Sequence, residues 1–204
     1  MILPVIVLST TAFAIEDKTD FYFKTNIGAA SFKDSSLGGP QMDFFRTSIK
    51  KNIATNFGLG VGYKFRENLR SDITLFHFTN LKMSPKNPDR KTTSCMNVVS
   101  MNVYLDLYKF PNGNSIFFAL GAGVANVNTR TVIEDQSYTP KTINVYSKIE
   151  LGSSMKINDD IYFDLSYSWN EFGKSKDFKT EKGTKVQKTP YKSHNIFAGL
   201  RFDI

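Results

Sequence analysis

This chain has one cysteine, Cys95, so no intramolecular disulfide can form; Cys95 reads as an ordinary strand-end residue. No apolar run approaches the roughly 20 residues that a spanning helix needs, which excludes a helical membrane protein. No segment repeats its apolar residues with a helical period of about 3.6, which excludes a helix-rich fold. Only two histidines occur, His77 and His194, with no metal-ligand cluster, phosphate-binding loop or nucleophile elbow. Ser193 is adjacent to His194 rather than suitably spaced from it, and no carboxylate is placed to orient the ring. No catalytic residue, cofactor or metal is therefore expected. Tryptophan is nearly absent as well, with one residue, yet there are 18 Phe and 9 Tyr. That balance suits pleated surfaces, where aromatic and β-branched side chains pack well.

Residues 1–14, MILPVIVLSTTAFA, read as a secretory signal. An apolar stretch from Ile2 to Leu8 leads into Ala12-Phe13-Ala14, the small-x-small pattern of a cleavage site. No Lys or Arg precedes the apolar stretch, so Met1 reads as a truncated start, and the mature chain is expected to begin at Ile15. Residues 15–204 are long enough for one domain.

Strict alternation recurs eight times along that domain. In the clearest run, Phe57, Leu59, Val61, Tyr63 and Phe65 alternate with Gly58, Gly60, Gly62, Lys64 and Arg66. The last run sets His194, Ile196, Ala198, Leu200, Phe202 and Ile204 against Asn195, Phe197, Gly199, Arg201 and Asp203. The period of two identifies strands. The runs are about 9–13 residues long, against about 5–6 for soluble sheets and about 9–11 for a tilted spanning strand. Short turns (67–68, 110–114, 158–160) alternate with long polar connections (33–54, 81–94, 128–142, 173–192). The pattern predicts an all-β, eight-stranded antiparallel transmembrane barrel with four long extracellular loops and three short periplasmic turns.

The charged residues of these strands share one side. Lys24, Lys64, Arg66, Asp72, Asp106, Lys148, Glu150, Asp164, Arg201 and Asp203 are expected to form a lumen charge network. Facing hydrocarbon, each Lys or Arg would cost about 2–4 kcal/mol at the bilayer midplane; facing a narrow lumen, they can pair. A soluble ligand-binding barrel would need the Phe/Leu/Val face inward, and leaves the segregation of long and short connections unexplained. A pore is disfavoured because eight strands leave an interior that side chains fill.

The runs GLGVGYKFRENLRSDITL, SMNVYLDLY, FFALGAGVANV, YFDLSYSWNEFGKSK and YKSHNIFAGLRFDI resemble the opacity-type, eight-stranded outer-membrane barrels. The likeness is greatest to proteins of rickettsiae named as adhesins: Asn68-Leu69-Arg70-x-Asp72, Tyr167-Ser168-Trp169, and the ending from Tyr191 to Asp203. It spans the mature chain and is weak in the loops. It implies a bacterial outer-membrane protein with its loops at the cell surface, and assembly by the barrel-insertion machinery through the C-terminal strand. Ile204 departs from the pattern, in which members often end on an aromatic residue or Met.

The long connections hold most of the basic charge. Residues 173–192 carry seven lysines against two acids, and 81–94 carry four basic residues against one acid. This patch suggests capture of an anionic host partner: a surface, matrix or serum glycoprotein (vitronectin-like) or a sulfated glycan. The candidate contact residues are Phe44, Phe45, Arg90, Lys91, Lys179, Lys182, Lys185 and Lys188. Outer-membrane lipid and lipopolysaccharide are the other expected partners; the chain is read as a monomer that binds no nucleic acid. The competing reading is a structural barrel that supports the envelope without a dedicated ligand.

Overall fold

The computed structural model describes residues 20–32, 52–83, 90–133, 136–139, 141–174, 178–179, 185–186 and 190–204. Its strands are β1 (Phe21–Phe32), β2 (Asn52–Arg66), β3 (Leu69–Met83), β4 (Arg90–Lys109), β5 (Ser115–Ile133), β6 (Gln136–Tyr138), β7 (Lys141–Lys156), β8 (Ile161–Lys174), β9 (Phe178–Lys179), β10 (Lys185–Val186) and β11 (Pro190–Asp203). Eight of them, β1 to β5 with β7, β8 and β11, pair antiparallel around a closed ring. The seam is the pairing of first and last strands, from Tyr22 opposite Asp203 to Phe32 opposite Ser193. Closure leaves no strand edge inside the bilayer, where an unpaired backbone group costs several kcal/mol.

The apolar face of each strand turns outward. Phe57, Leu59, Val61 and Phe65 are exposed, and Tyr63 packs edge-on between the rings of Phe21 (5.0 Å) and Phe65 (5.2 Å). Small residues make room for the inward side chains. The Tyr22 ring lies over Gly62, where any Cβ would overlap it.

The three described turns, at 67–68, 110–114 and 157–160, lie at one end of the barrel. In the second, Gly113 adopts φ +83°, a left-handed conformation that glycine accepts without a Cβ clash. In the third, the Asn158 carboxamide oxygen accepts from the backbone N–H groups of Asp160 (3.0 Å) and Ile161 (2.7 Å).

At the opposite end the strands run further than alternation alone implies. β4 has 20 residues and β5 has 19, well beyond the about 9–11 that cross a bilayer. Within the segments 81–94 and 128–142, read above as loops, the described residues 81–83, 90–94, 128–133, 136–138 and 141–142 are strand, because threonines and β-branched residues continue the pleat past the apolar belt. Arg90 and Lys91 therefore begin β4, in register with Ile133 and Val132, rather than lying in a loop. Beyond them, β6 pairs with the end of β5.

The interior has two layers. Toward the end away from the turns, inward residues form an apolar core that includes Phe32, Phe76, Phe78, Met96, Tyr146, Phe172 and Phe197. Phe172 is fully buried, with ring centres 5.1 Å from Phe78, 5.2 Å from Tyr146 and 5.7 Å from Phe32. Toward the turns, the lining is charged.

Candidate functional site

Nine of the ten charges expected in the lumen are brought together there, in two tiers. In the tier beneath the apolar core, Lys24 Nζ lies 2.6 Å from Asp72 Oδ2 and also meets the Tyr104 hydroxyl. Asp72 Oδ1 accepts from Thr74 Oγ1 (2.8 Å) and Asn102 Nδ2 (2.6 Å). Lys148 pairs with Glu150, its ammonium 5.6 Å from the centre of the Phe76 ring, where the charged layer meets the apolar one. In the tier nearer the turns, Lys64 pairs with Asp203, and Arg201 Nε lies 3.5 Å from Asp203 Oδ1. Ser154 accepts from Arg201 Nη2 at 3.4 Å and donates to Asp164 Oδ1 at 2.5 Å. The Arg201 guanidinium lies 4.3 Å from the centre of the Tyr162 ring.

Arg66 is the exception. It lies past the irregularity in the β2–β3 pairing and is exposed at the turn end; the extra residue there takes its side chain off the inward alternation. The inward place is taken by Arg70, which the reading above left out. Its Nη1 is 2.7 Å from Asp106 Oδ1, and its guanidinium lies over the rings of Tyr104 and Phe117, at 4.9 and 5.0 Å. The signal was present: Arg70 shares the parity of Asp72. With Arg70 replacing Arg66, five cations face five anions, and each tier is neutral. Burying charge is tolerable only with this pairing.

Ser193 and His194 point to opposite faces. Ser193 Oγ donates inward to Asn195 Oδ1 (2.7 Å), whereas the exposed His194 has Nδ1 2.6 Å from the Tyr167 hydroxyl. His77 Nδ1 is 2.6 Å from Asn97 Oδ1. The described residues hold no cluster of three or more His, Cys, Asp or Glu that could bind a metal.

Of the residues expected to contact a partner, Phe44, Phe45, Lys182 and Lys188 lie outside the described residues, as do residues 1–14. Lys179 in β9 and Lys185 in β10 are register partners in a two-stranded ribbon. The two ends of the barrel differ in charge. Away from the turns, Arg130, Lys141 and Lys174 are exposed, and Lys192 Nζ sits 3.5 Å from Glu171 Oε1. At the turn end, the exposed residues are mixed: Asp20, Glu67, Asp159 and Asp160 with Arg66, Lys109 and Lys156.

Residues 1–202 match the family profile described as outer membrane protein beta-barrel domain. The chain belongs to this family. It is a non-enzymatic β-barrel of the bacterial outer membrane. A Rickettsia conorii protein named "Putative adhesin" is 32% identical, over 96% of this chain and 86% of its own length. A Rickettsia canadensis protein of the same name is 31% identical, over 96% and 93%. The barrel superposes on Neisserial surface protein A with a TM-score of 0.59 at 15% identity, covering 93% of this chain and all of that one. It superposes on Ail, the attachment invasion locus protein of Yersinia pestis, in complex with the heparin analogue sucrose octasulfate, with a TM-score of 0.53 at 10% identity over 91% of this chain and all of that one. At these identities the two structures speak to the fold alone.

Proposed function

We propose that this protein is a bacterial surface adhesin. The turns at 67–68, 110–114 and 157–160 face the periplasm, and the four long connections face the exterior. Through them it captures an anionic host partner: a sulfated glycan, or an acidic matrix or serum glycoprotein of the vitronectin kind. The observation that carries this reading is the charge asymmetry of the described ends, with Arg130, Lys141, Lys174 and Lys192 away from the turns, together with the seven lysines of the sequence 173–192. Relatives named as adhesins support attachment as the role, and Ail is a barrel of the same fold seen with a heparin analogue bound. A neutral, filled interior favours binding over transport, since it offers no path for a solute. Lipopolysaccharide would surround the wall, and the C-terminal strand would engage the insertion machinery.

Each exposed lysine contributes little alone, about 0–1 kcal/mol per pair, so single substitutions change attachment slightly. Exchanging Lys179, Lys182, Lys185 and Lys188 together for Ala lowers host-cell attachment, and salt lowers it further, because exposed charges beyond about 8–10 Å are screened at physiological ionic strength. Any contact by Phe44 and Phe45 persists in salt. Equal attachment by cells displaying the barrel and by empty-vector cells overturns the adhesin reading in favour of a structural barrel. Attachment that ignores both the four substitutions and salt overturns the electrostatic mechanism alone.

A further inference from the structure

Between β7 and β8 the ladder stops before the strands do. Register pairs run from Lys156 opposite Tyr162 to Ser147 opposite Glu171, whereas β7 begins at Lys141 and β8 ends at Lys174. Past Glu171, Gly173 adopts φ +74° and packs against the Asn144 side chain, whose Cβ a Cβ on Gly173 would meet at 2.7 Å. There β8 leaves the register of β7. On its other side β7 stays paired with β5 as far as Lys141 opposite Asn128, and β6 continues along β5 with Tyr138 opposite Thr131. Among the described residues, 141–146 thus have one ladder partner where the wall below has two. The side chains report the same opening. Ile143 and Val145 are 74% and 78% exposed, against 46% and 54% for Ile149 and Leu151 further along the same face. Counted from Lys156 at the turn end, both lie past the about 9–11 residues that cross a bilayer. Lys141, exposed, follows on that face, and Lys174, also exposed, ends β8 across the gap.

An open edge of this kind is a template for one more strand. A glycan does not complete it, because it lacks backbone N–H and C=O groups at the spacing of a strand. A second copy in the same membrane does not complete it either. A two-fold axis along the membrane normal crosses the two β7 strands at about twice the strand tilt, about 70–90°, an angle that no ladder spans. An extended peptide does fit. Running antiparallel to β7, it meets Val145 first, then Ile143, then Lys141, so its alternate residues read apolar-x-apolar-x-acidic from N to C. Directly opposed apolar pairs and opposite charges are the contacts that stabilise adjacent strands, and the ammonium groups of Lys141 and Lys174 favour an acidic segment.

We propose that residues 141–146 of β7 bind an extended acidic polypeptide segment of the host partner by strand addition, in the order apolar-x-apolar-x-acidic. The proposal rests on the adhesin reading and specifies its partner as a polypeptide. The test follows the fluorescence polarisation of a short labelled peptide, Val-Thr-Val-Thr-Glu at its centre, on the refolded full chain in phosphatidylcholine vesicles. The peptide is also made with N-methyl groups on one or the other alternate set of backbone nitrogens. One set should weaken binding at least about tenfold, through lost hydrogen bonds to the edge, and the other should leave it unchanged, because alternate residues of a strand point their N–H groups to opposite sides. Ile143→Lys together with Val145→Lys should produce the same loss, since charge on an edge blunts it. Both positions are exposed, and heat-modifiable gel mobility reports that the variant still folds. No binding, equal effects of the two methylated sets, equal binding of the peptide in reversed order, or slow hydrogen exchange at every amide of 142–146 in the free chain, an edge already covered, overturns the proposal. Host-cell attachment separates the two readings. Native cells that attach no better with the edge intact than with the double variant overturn the edge and leave adhesion standing. Native cells that do not attach at all overturn adhesion, and the methylated peptides still decide whether the edge takes a strand.

Discussion

Replacing Phe172 by Ala tests whether the end of the barrel away from the turns is a packed core or a water-filled vestibule. Phe172 is fully buried, and its ring contacts those of Phe32, Phe78 and Tyr146. These neighbours are fixed to three different strands of a closed ring, β1, β3 and β7, so the site collapses poorly after truncation. The expected cost lies in the range for a buried Phe→Ala change, about 3–5 kcal/mol, most of it the lost transfer energy and the residual cavity. Phe57→Ala is the matched control. Its ring faces outward, 52% exposed, and lipid chains close over the gap, so no cavity term arises and about 1–2 kcal/mol is expected. Both variants can be followed by guanidinium unfolding in phospholipid vesicles, using the fluorescence of the one tryptophan, Trp169, with equal m-values required before midpoints are compared. If Phe172→Ala costs no more than Phe57→Ala, the interior there is hydrated and the apolar core described above does not exist as a packed unit.

Three further outcomes follow from the same structure. Arg70→Gln strips Asp106 of its partner in a buried site and should cost about 3–5 kcal/mol, whereas Arg66→Gln, at the exposed turn end, should stay within about 0.5 kcal/mol; the same unfolding assay decides, and equal effects would reinstate Arg66 in the lumen. In a Cys95→Ser background, cysteines at Leu59 and Val61 should react with a lipid-phase maleimide, and cysteines at Ser100 and Ser168 should not; the reverse pattern would mean a soluble barrel with its faces exchanged. Purified protein in planar bilayers should give no large, steady single-channel currents, since both the aromatic core and the ion-pair tiers obstruct the lumen.

The wall of the barrel was legible because a period of two has only two phases, and one of them carried nearly all the charge. Phe57, Leu59 and Val61 could only face lipid once Lys24, Asp72 and Glu150 were assigned to the other side. The same logic should have found more. Phe76 and Phe78 continue the inward phase of Asp72 and Thr74, and Met96 and Val98 continue that of Ser100 and Asn102, so the apolar core was written in the chain. It escaped notice because an apolar residue on the polar face does not break a pattern judged by charge. Arg66 failed for the opposite reason: alternation assumes an unbroken pleat, and the irregularity beside Lys64 shifts phase by one residue. The ends of β4 and β5 were lost where the outward residues turn polar above the membrane, since strand and loop then share a composition.

The division of the interior bears on how such a protein can vary its long connections. The ion pairs lie toward the turns, so a change in the long connections does not unpair a buried charge. Between those charges and the connections lies the aromatic core, whose contacts are non-directional and tolerate small displacements better than a hydrogen-bonded pair does. Lys24, Asp72, Lys148 and Glu150 are thus shielded from strain arriving at Ala54 or Tyr191. That arrangement suits a scaffold whose binding surface is built from loops positioned by a rigid wall.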